Sequence, residues 1–438
     1  MATAAFDGTG EAYAHITNDS RVKIWDVAAG ACSHEYTPTG KHAAQLTCLA
    51  WGKVPASAPA SATKKRKARQ VHDVVAIGTA VGGVLLWDCS RGELRGTFGG
   101  ESSGHTGKVN DLAMNAAGTL LYTCTEDCQI TCWSVGTGTQ SWHMSVGKNA
   151  ASRLLVHADD DVLVTASTAI KIWDLSTRSS TRKLRGHAAE VTCMAYSPDH
   201  SFLVSASLDR FILVWHTAGD SSDPFVTLTL DSAPQMLTMR AASDADDGLA
   251  ELLAVSEAGG AAIWRFDPAN PKKSAEASKA SAKKGGKSSP ASTPRDVRPL
   301  APSCQIMPGR GKARVAVHAA RFDDSDGKSV VVCGGAQVLP TFMHICVRDN
   351  GGALLETVAL EGKLAGGKGL LMAQEQGKGN KTKGKANMET EVQAPSAARA
   401  RPLTARTHAR TRTRTRTRTR TRTRTRARKH TRMHIHIR

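Results

Sequence analysis

A tryptophan that ends a short apolar run recurs along this chain at a nearly constant interval, and this repeat constrains the fold more than any other feature. The intervals are 62, 46, 40, 42 and 49 residues, and they separate Trp25, Trp87, Trp133, Trp173, Trp215 and Trp264. The first interval shortens to 44 when the insertion 53–70 is set aside. A period of about 40–45 residues is that of a propeller blade of four β-strands. The sequence therefore predicts an all-β propeller.

The interior of one period supports this fold. Short alternating segments at Val191–Tyr196, Phe202–Ser207 and Phe211–Trp215 are separated by turn residues, which is the pattern of successive antiparallel strands. Asp often follows the Trp, as in WD40 repeats. A seventh unit without Trp lies in residues 315–360, where Leu354–Leu360 is the candidate fourth strand. The predicted fold is a WD40-repeat β-propeller with seven blades, and Thr3–Phe6 is the candidate first strand of the first blade.

Two periods carry the same set of polar residues, and we interpret them as hydrogen-bond staples between strands. His lies 28 residues before Trp in both, and a hydroxyl and an Asp lie between them. Imidazole, hydroxyl, carboxylate and indole N–H groups can satisfy one another in one buried chain. A catalytic interpretation of Ser207, His187 and Asp209 is available, but one active site would not recur at blade period. The predicted staple residues are His105, Thr125, Asp127, Trp133, His187, Ser207, Asp209 and Trp215.

The formal charge of +19 is unevenly distributed. The tail 392–438 contributes +16, the stretch 271–298 contributes +6 and the run at 64–69 contributes +5, so the rest of the chain nets −8. This pattern favours a mildly acidic propeller with basic appendages over a uniformly basic nucleic-acid-binding fold. The run in the insertion is part of a solvated loop without a function of its own, a nuclear-import signal or an RNA contact. Its residues are Lys64, Lys65, Arg66, Lys67 and Arg69.

The domain prediction places the propeller in residues 1–361, with disordered basic insertions at 53–70 and 268–303. A disordered Gly/Lys-rich linker is predicted at 362–398 and a low-complexity Thr-Arg tail at 399–438. Such a tail would bind RNA electrostatically, or it is a translated nucleotide repeat.

No cofactor or metal site is predicted. Cys124, Cys128 and Cys132 have a Cys-x3-Cys spacing across two strands and a turn, unlike the Cys-x2-Cys knuckle of zinc sites. The ten Cys residues are scattered, which favours a reducing compartment. Because the apolar uncharged run Val74–Trp87 is only 14 residues long and contains three Gly, we expect no membrane-spanning helix and a soluble, intracellular protein.

Several phrases are more specific than a WD40 repeat. They include Arg21-Val-Lys-Ile-Trp-Asp26, Leu46-Thr-Cys-Leu-Ala-Trp51 before a basic insertion, Asp73–Leu86, Pro308-Gly-Arg-Gly-Lys312 and His344-Ile-Cys-Val-Arg-Asp349. Over about residues 1–360 the chain resembles the family of WD repeat-containing protein 43, also called U3 small nucleolar RNA-associated protein 5. The helical C-terminal domain of that family has no counterpart after about residue 360.

The resemblance implies a non-enzymatic scaffold of the small-subunit processome in the nucleus and nucleolus, active in pre-18S ribosomal RNA processing and its coupling to transcription. Implied partners are other WD-repeat subunits, U3 RNA and ribosomal RNA precursor, contacted directly or indirectly, with no membrane and no small-molecule substrate. The alternative is a generic WD-repeat adaptor, either a ubiquitin-ligase substrate receptor or a chromatin adaptor, because a propeller alone does not determine function.

Overall fold

Every regular element in the described part of the chain is a β-strand, which confirms the predicted all-β class. In the same residues no helix is long and apolar enough to cross a membrane. The computed structural model describes residues 3–39, 44–55, 71–99, 107–157, 159, 161–219, 221–240, 249–267, 302–307, 316–323, 329–336, 339–348, 357–361, 372–375 and 388–389.

The strands form seven sheets, which are the seven predicted blades. Each of the first five blades contains four antiparallel strands in chain order. Blade 1 contains β1 (Ala4–Phe6), β2 (Ala12–Ile16), β3 (Val22–Asp26) and β4 (Ala31–Tyr36). Blade 2 contains β5 (Leu46–Pro55), β6 (Val71–Thr79), β7 (Gly83–Asp88) and β8 (Glu93–Gly99). Blade 3 contains β9 (Val109–Met114), β10 (Leu120–Thr125), β11 (Gln129–Ser134) and β12 (Gln140–Ser145).

The later blades continue this order and then depart from it. Blade 4 contains β13 (Arg153–Val156), β14 (Val162–Ala166), β15 (Ile170–Asp174) and β16 (Ser179–Leu184). Blade 5 contains β17 (Val191–Tyr196), β18 (Phe202–Ser207), β19 (Phe211–His216) and β20 (Val226–Thr229). Blade 6 begins with β21 (Pro234–Arg240), β22 (Ala250–Ser256), β23 (Ala261–Phe266) and β24 (Cys304–Met307). In the described residues, blade 7 consists of β25 (Val317–Phe322), β26 (Ser329–Ala336) and β27 (Leu339–Cys346).

The first strands of the blades form the inner wall of a ring. They contact one another in the order β1, β5, β9, β13, β17, β21 and β25, and β25 contacts β1. The six repeating tryptophans all lie on the third strands of their blades and are all buried. The sequence repeat therefore marks the third strand of each of the first six blades, as predicted.

The hydrophobic core lies between neighbouring blades. Seven clusters of buried apolar residues occupy the seven seams between blades. In the seam between blades 4 and 5, for example, Ile170 and Leu184 pack with Trp215. Phe342 of blade 7 packs with Tyr13 and Trp25 of blade 1 and closes the ring. Each blade therefore depends on both neighbours for the burial of its apolar faces.

The prediction that Leu354–Leu360 forms the fourth strand of blade 7 is wrong about the sheet that this strand joins. A strand, β28 (Thr357–Glu361), forms near Leu354–Leu360, but it pairs in parallel with β24 of blade 6. It is followed there by β29 (Met372–Glu375) and β30 (Met388–Glu389), so the sheet of blade 6 has seven strands. Local β-propensity predicts that a segment forms a strand. It does not predict which exposed sheet edge that strand pairs with.

The insertion predicted at 53–70 begins inside a strand. Lys53, Val54 and Pro55 continue β5 and pair with Asp73, His72 and Val71. Residues 56–70, with the basic run at 64–69, lie outside the described residues, as do 268–301 and the tail. β29 and β30 lie within the predicted linker 362–398, and the domain division stays a prediction.

Candidate functional site

The most complete polar network lies in blade 5. The indole N–H of Trp215 donates to Ser205 Oγ at 2.9 Å, and Ser205 Oγ lies 2.9 Å from His187 Nε2. His187 Nδ1 lies 3.1 Å from Asp209 Oδ2. Because a carboxylate only accepts hydrogen bonds, Nδ1 carries the imidazole proton and Nε2 accepts from the Ser205 hydroxyl. This network thus joins β18, β19, the turn between them and the segment before β17.

Asp209 anchors the outer end of this network. Its carboxylate also accepts the backbone N–H groups of Ala188 at 2.8 Å and Phe211 at 2.9 Å. Burial opposes ionisation of Asp209, but these hydrogen bonds and the one from His187 outweigh it, so the pKa of Asp209 is lowered. The carboxylate is therefore held ionised, with its acceptor positions in use for structure.

The hydroxyl in the network is Ser205 and not the predicted Ser207. Ser207 lies two residues later, where its Oγ accepts the backbone N–H of Asp209 at 3.2 Å. The other predicted members, His187, Asp209 and Trp215, are brought together. Because Ser207 does not bond to His187, the catalytic arrangement considered for Ser207, His187 and Asp209 is not assembled.

Blades 3 and 4 contain the bond from Trp to a hydroxyl that belongs to this network. Trp133 donates to Thr123 Oγ1 at 3.1 Å, and Trp173 donates to Thr165 Oγ1 at 2.8 Å. The predicted Thr125 instead donates to Asp127. His105 lies outside the described residues. A hydroxyl ten residues before the Trp, at Thr123 and Ser205, was the sequence signal for these bonds.

The corresponding position has no hydroxyl in blades 1, 2 and 6, where it is His15, Ile77 and Ala254. In blade 1 the His15 ring stacks on Trp25 with centroids 6.4 Å apart. Within the described ranges, Trp25 Nε1 and Trp87 Nε1 have no hydrogen-bond partner. The Trp-to-hydroxyl bonds of this network in the described residues thus lie in blades 3, 4 and 5.

A second set of polar links joins neighbouring blades, and sequence reasoning missed it. The donors lie near the start of the first strands and bond to a backbone carbonyl of the next blade. These bonds run from Thr47 to Val109 at 2.7 Å, from Asn110 to Ala151 at 3.0 Å, from Ser152 to Val191 at 3.0 Å and from Thr192 to Pro234 at 2.8 Å. A polar residue at one recurring position in four consecutive blades was the available signal.

Two buried charged residues strengthen these seams. Asp111 Oδ2 accepts the backbone N–H of Leu154 at 2.9 Å, from blade 3 to blade 4. Arg153 Nε donates to the Thr192 carbonyl, from blade 4 to blade 5. Burial raises the pKa of Asp111, against the opposing effect of the nearby Arg153. The polar atoms of Asp111 and Arg153 therefore form hydrogen bonds between neighbouring blades.

A central cavity of about 660 Å³ is lined chiefly by the first strands. Its charged lining residues are Asp111, Arg153 and Glu257, and the first two already bond to neighbouring blades. Most other lining side chains are apolar.

The three Cys considered as metal ligands differ in their surroundings. Cys124 and Cys132 are buried, and Cys128 is half-buried. Burial raises the pKa of Cys124 well above its ordinary value and that of Cys132 to about 11, which favours protonated thiols. The carbonyl groups of Asp111 and Lys148 accept from Cys124 and Cys128.

The blades and their networks define a WD40-repeat β-propeller. A family model described as "WD domain, G-beta repeat" matches residues 92–134 and 178–216, each match covering the outer strand of one blade and three strands of the next. The staple residues of blades 3 and 5 fall in these two matches.

Similarity to curated proteins confirms the resemblance stated from the motifs. The chain is 30% identical to human WD repeat-containing protein 43 over 240 residues, which are 50% of this chain and 35% of that protein. It is 30% identical over 165 residues to the U3 small nucleolar RNA-associated protein 21 homolog of Schizosaccharomyces pombe, or 36% of this chain and 18% of that protein. Nuclear distribution protein PAC1 of Arthroderma otae is 29% identical over 158 residues, 33% of each chain. The chain thus spans about a third or less of these relatives.

Proposed function

We propose that this chain is a non-enzymatic scaffold in ribosome biogenesis that acts in the nucleolus, in pre-18S ribosomal RNA processing by the small-subunit processome. The observation that carries this proposal is the similarity to WD repeat-containing protein 43 over half of the chain. A second relative is named for association with U3 small nucleolar RNA. The same assembly would couple processing to ribosomal RNA transcription.

The use of polar residues in the propeller supports a scaffold role. Ser205, the hydroxyl that a hydrolase would use as its nucleophile, is fully buried in blade 5 and accepts the indole N–H of Trp215. The proposed partners are other WD-repeat processome subunits, U3 RNA and ribosomal RNA precursor. No cofactor and no small-molecule substrate is part of the proposal.

Pull-down of the tagged full chain from nuclear extract tests this function. We expect U3 RNA and processome WD-repeat proteins in the eluate, measured by reverse transcription and mass spectrometry. Ribonuclease treatment of a parallel sample separates protein contacts from contacts through RNA. An unrelated folded propeller with the same tag is the control. Recovery of neither U3 RNA nor these subunits by a chain with a β-sheet circular dichroism spectrum would contradict the proposal.

A generic adaptor for protein assembly is the second candidate. It is favoured by the 29% identity to nuclear distribution protein PAC1, whose name differs from those of the U3-related relatives. A ligase-adaptor motif, Trp-Asp-x-Arg, is absent, because no Trp-Asp pair in the sequence has Arg two positions later. Recovery of ubiquitin-ligase or chromatin subunits without U3 RNA would favour this candidate.

A further inference from the structure

The outer strand of blade 4 carries a dense group of cationic side chains on an otherwise acidic-leaning propeller. Arg178, Lys183 and Arg185 are exposed in and around β16, and Lys171 lies half-buried on the neighbouring β15. We call these four residues the blade 4 basic surface. Among the described residues, no carboxylate forms an ion pair with any of the four.

One pair within this surface opposes fold stability. Lys171 and Lys183 are directly opposite each other in the β15–β16 register. Like charges at such a position destabilise a sheet. The corresponding pair in blade 1 is Lys23 and Glu35, which have opposite charges. Blade 4 therefore retains a repulsion that the same repeat avoids elsewhere.

Arg178 is a second departure from the repeat. It has a positive φ of 53° in the turn that leads into the outer strand. Glycine occupies the corresponding turns of blades 1, 2 and 3, where Gly30, Gly92 and Gly138 have φ values of 60°, 68° and 73°. A left-handed backbone is costly for arginine and free of strain for glycine. The side chain at 178 is therefore present despite its backbone cost.

The cations extend the surface toward blade 3. The Arg178 guanidinium lies over the Trp142 ring of β12, 5.2 Å from its centroid. Lys171 Nζ donates to the Val146 carbonyl, which follows β12. Trp142 is half-buried, so part of its ring is open to solvent. The outer strands of two blades thus present cations beside an aromatic ring.

We propose that the blade 4 basic surface and Trp142 bind the phosphate backbone of a single-stranded RNA. Spaced cations beside an aromatic ring are the chemistry of sequence-tolerant single-strand binding, with phosphates on the cations and a base against the ring. Within the fold Arg178 contacts Trp142 and Lys171 bonds to the Val146 carbonyl, but the repulsion between Lys171 and Lys183 remains, and a polyanion would turn it into attraction. The choice of RNA as the polyanion rests on the proposed function. The geometry of the surface is independent of that function.

The test uses Arg178→Gly, Lys183→Glu and their double variant in the full chain. Both changes remove strain or repulsion, so neither is expected to lower the thermal midpoint. Affinity for a single-stranded oligouridine is expected to fall, and the slope of log affinity against log salt should decrease by about 0.7 for each phosphate that the variant no longer neutralises. Arg210→Gly is the matched control, because Arg210 is exposed in blade 5 with a φ of 68°. It should leave the affinity unchanged.

Ultraviolet cross-linking localises the RNA on the protein, since the basic run at 64–69 and the tail also attract RNA. Cross-linked peptides from residues 140–145 and 178–185 are expected in the wild-type chain and should be missing from the double variant. Cross-links confined to the insertions and the tail would overturn the proposal, as would equal effects of Arg210→Gly and Arg178→Gly. Binding of polyglutamate but not oligouridine would overturn it in favour of an acidic protein partner.

The two proposals fail separately. Cross-links at blade 4 with no processome subunits in the pull-down would remove the assembly role and leave the RNA surface. Recovery of U3 RNA and subunits by the double variant at wild-type levels, without blade 4 cross-links, would remove the surface and leave the scaffold role.

Discussion

Blades 3 to 5 and blade 7 are held in the ring by different means. The middle blades repeat one internal bond from Trp to a hydroxyl and one polar link to the next blade. Blade 7 has three strands and no Trp on its third strand. Besides its apolar packing, two arginines link it to its neighbours: Arg321 donates to the Gly8 carbonyl of blade 1 at 2.6 Å, and Arg348 pairs with Glu251 of blade 6 at 2.8 Å.

The difference shows how stability is distributed. In the middle blades several equivalent hydrogen bonds each contribute to stability, so the removal of one leaves the others in place. At the seam between blades 6 and 7, the buried carboxylate of Glu251 also pairs with Arg265 at 3.1 Å and with Arg240, both in blade 6. We infer that ring closure at blade 7 is more sensitive to a single substitution.

Glu251→Gln is expected to have the largest effect on this comparison. Glu251 and Arg348 are only 2% and 5% exposed, and removal of one partner of a buried ion pair costs about 3–5 kcal/mol. Urea denaturation of the full chain measures the change. Glu35→Gln is the control, because it breaks a solvent-exposed pair with Arg21 and should change stability far less than Glu251→Gln. Equal destabilisation in the two variants would mean that the Glu251 cluster has no special role.

Ser205→Ala is expected to have the next largest effect. It leaves the indole of Trp215 and Nε2 of His187 without their shared partner, at about 1–3 kcal/mol for each buried group. Ser207→Ala removes one bond from the Asp209 N–H and should cost about 1 kcal/mol. The free energy of unfolding of both variants decides between them. A larger destabilisation by Ser207→Ala would place the staple at the residue predicted from the sequence.

Asp209 should make blade 5 sensitive to acid. Its pKa is lowered in the folded state, so its contribution to stability is present above the unfolded value of about 3.9 and is lost as pH falls through the lower folded pKa. Asp209→Asn should therefore reduce stability near neutral pH and flatten its decrease below about pH 4. Unfolding midpoints measured from acid to neutral pH test this, and an unchanged acid slope in the variant would contradict it.

The smallest effect is expected from adding the missing hydroxyl to blade 2. Ile77 lies ten residues before Trp87, whose Nε1 has no described partner. Ile77→Val is the matched control, because Val and Thr have the same shape. The Ile77→Thr variant should be more stable than this control by about 0.5–1.5 kcal/mol, measured by urea denaturation. A Thr variant less stable than the Val variant would show that the site cannot form the bond.

Much of the fold was predictable because the repeat carries it. The six tryptophans identified the third strands, since an apolar run that ends in Trp fits a strand buried on both faces. His187, Asp209 and Trp215 were assigned to one network from their spacing alone. The choice between Ser205 and Ser207 was not available, because residues two apart share a face of a strand and only the register shows which one faces the Trp.

The amino-acid sequence by itself determined the class of fold, the number of blades and the third strand of each of the first six blades, because hydrophobic periodicity acts locally. Tertiary structure decided which edge β28 joins, which carbonyl each inter-blade donor meets and where Arg178 lies relative to Trp142. These contacts join residues far apart in the chain or on different blades. Their distances are set by ring closure, which no local pattern encodes.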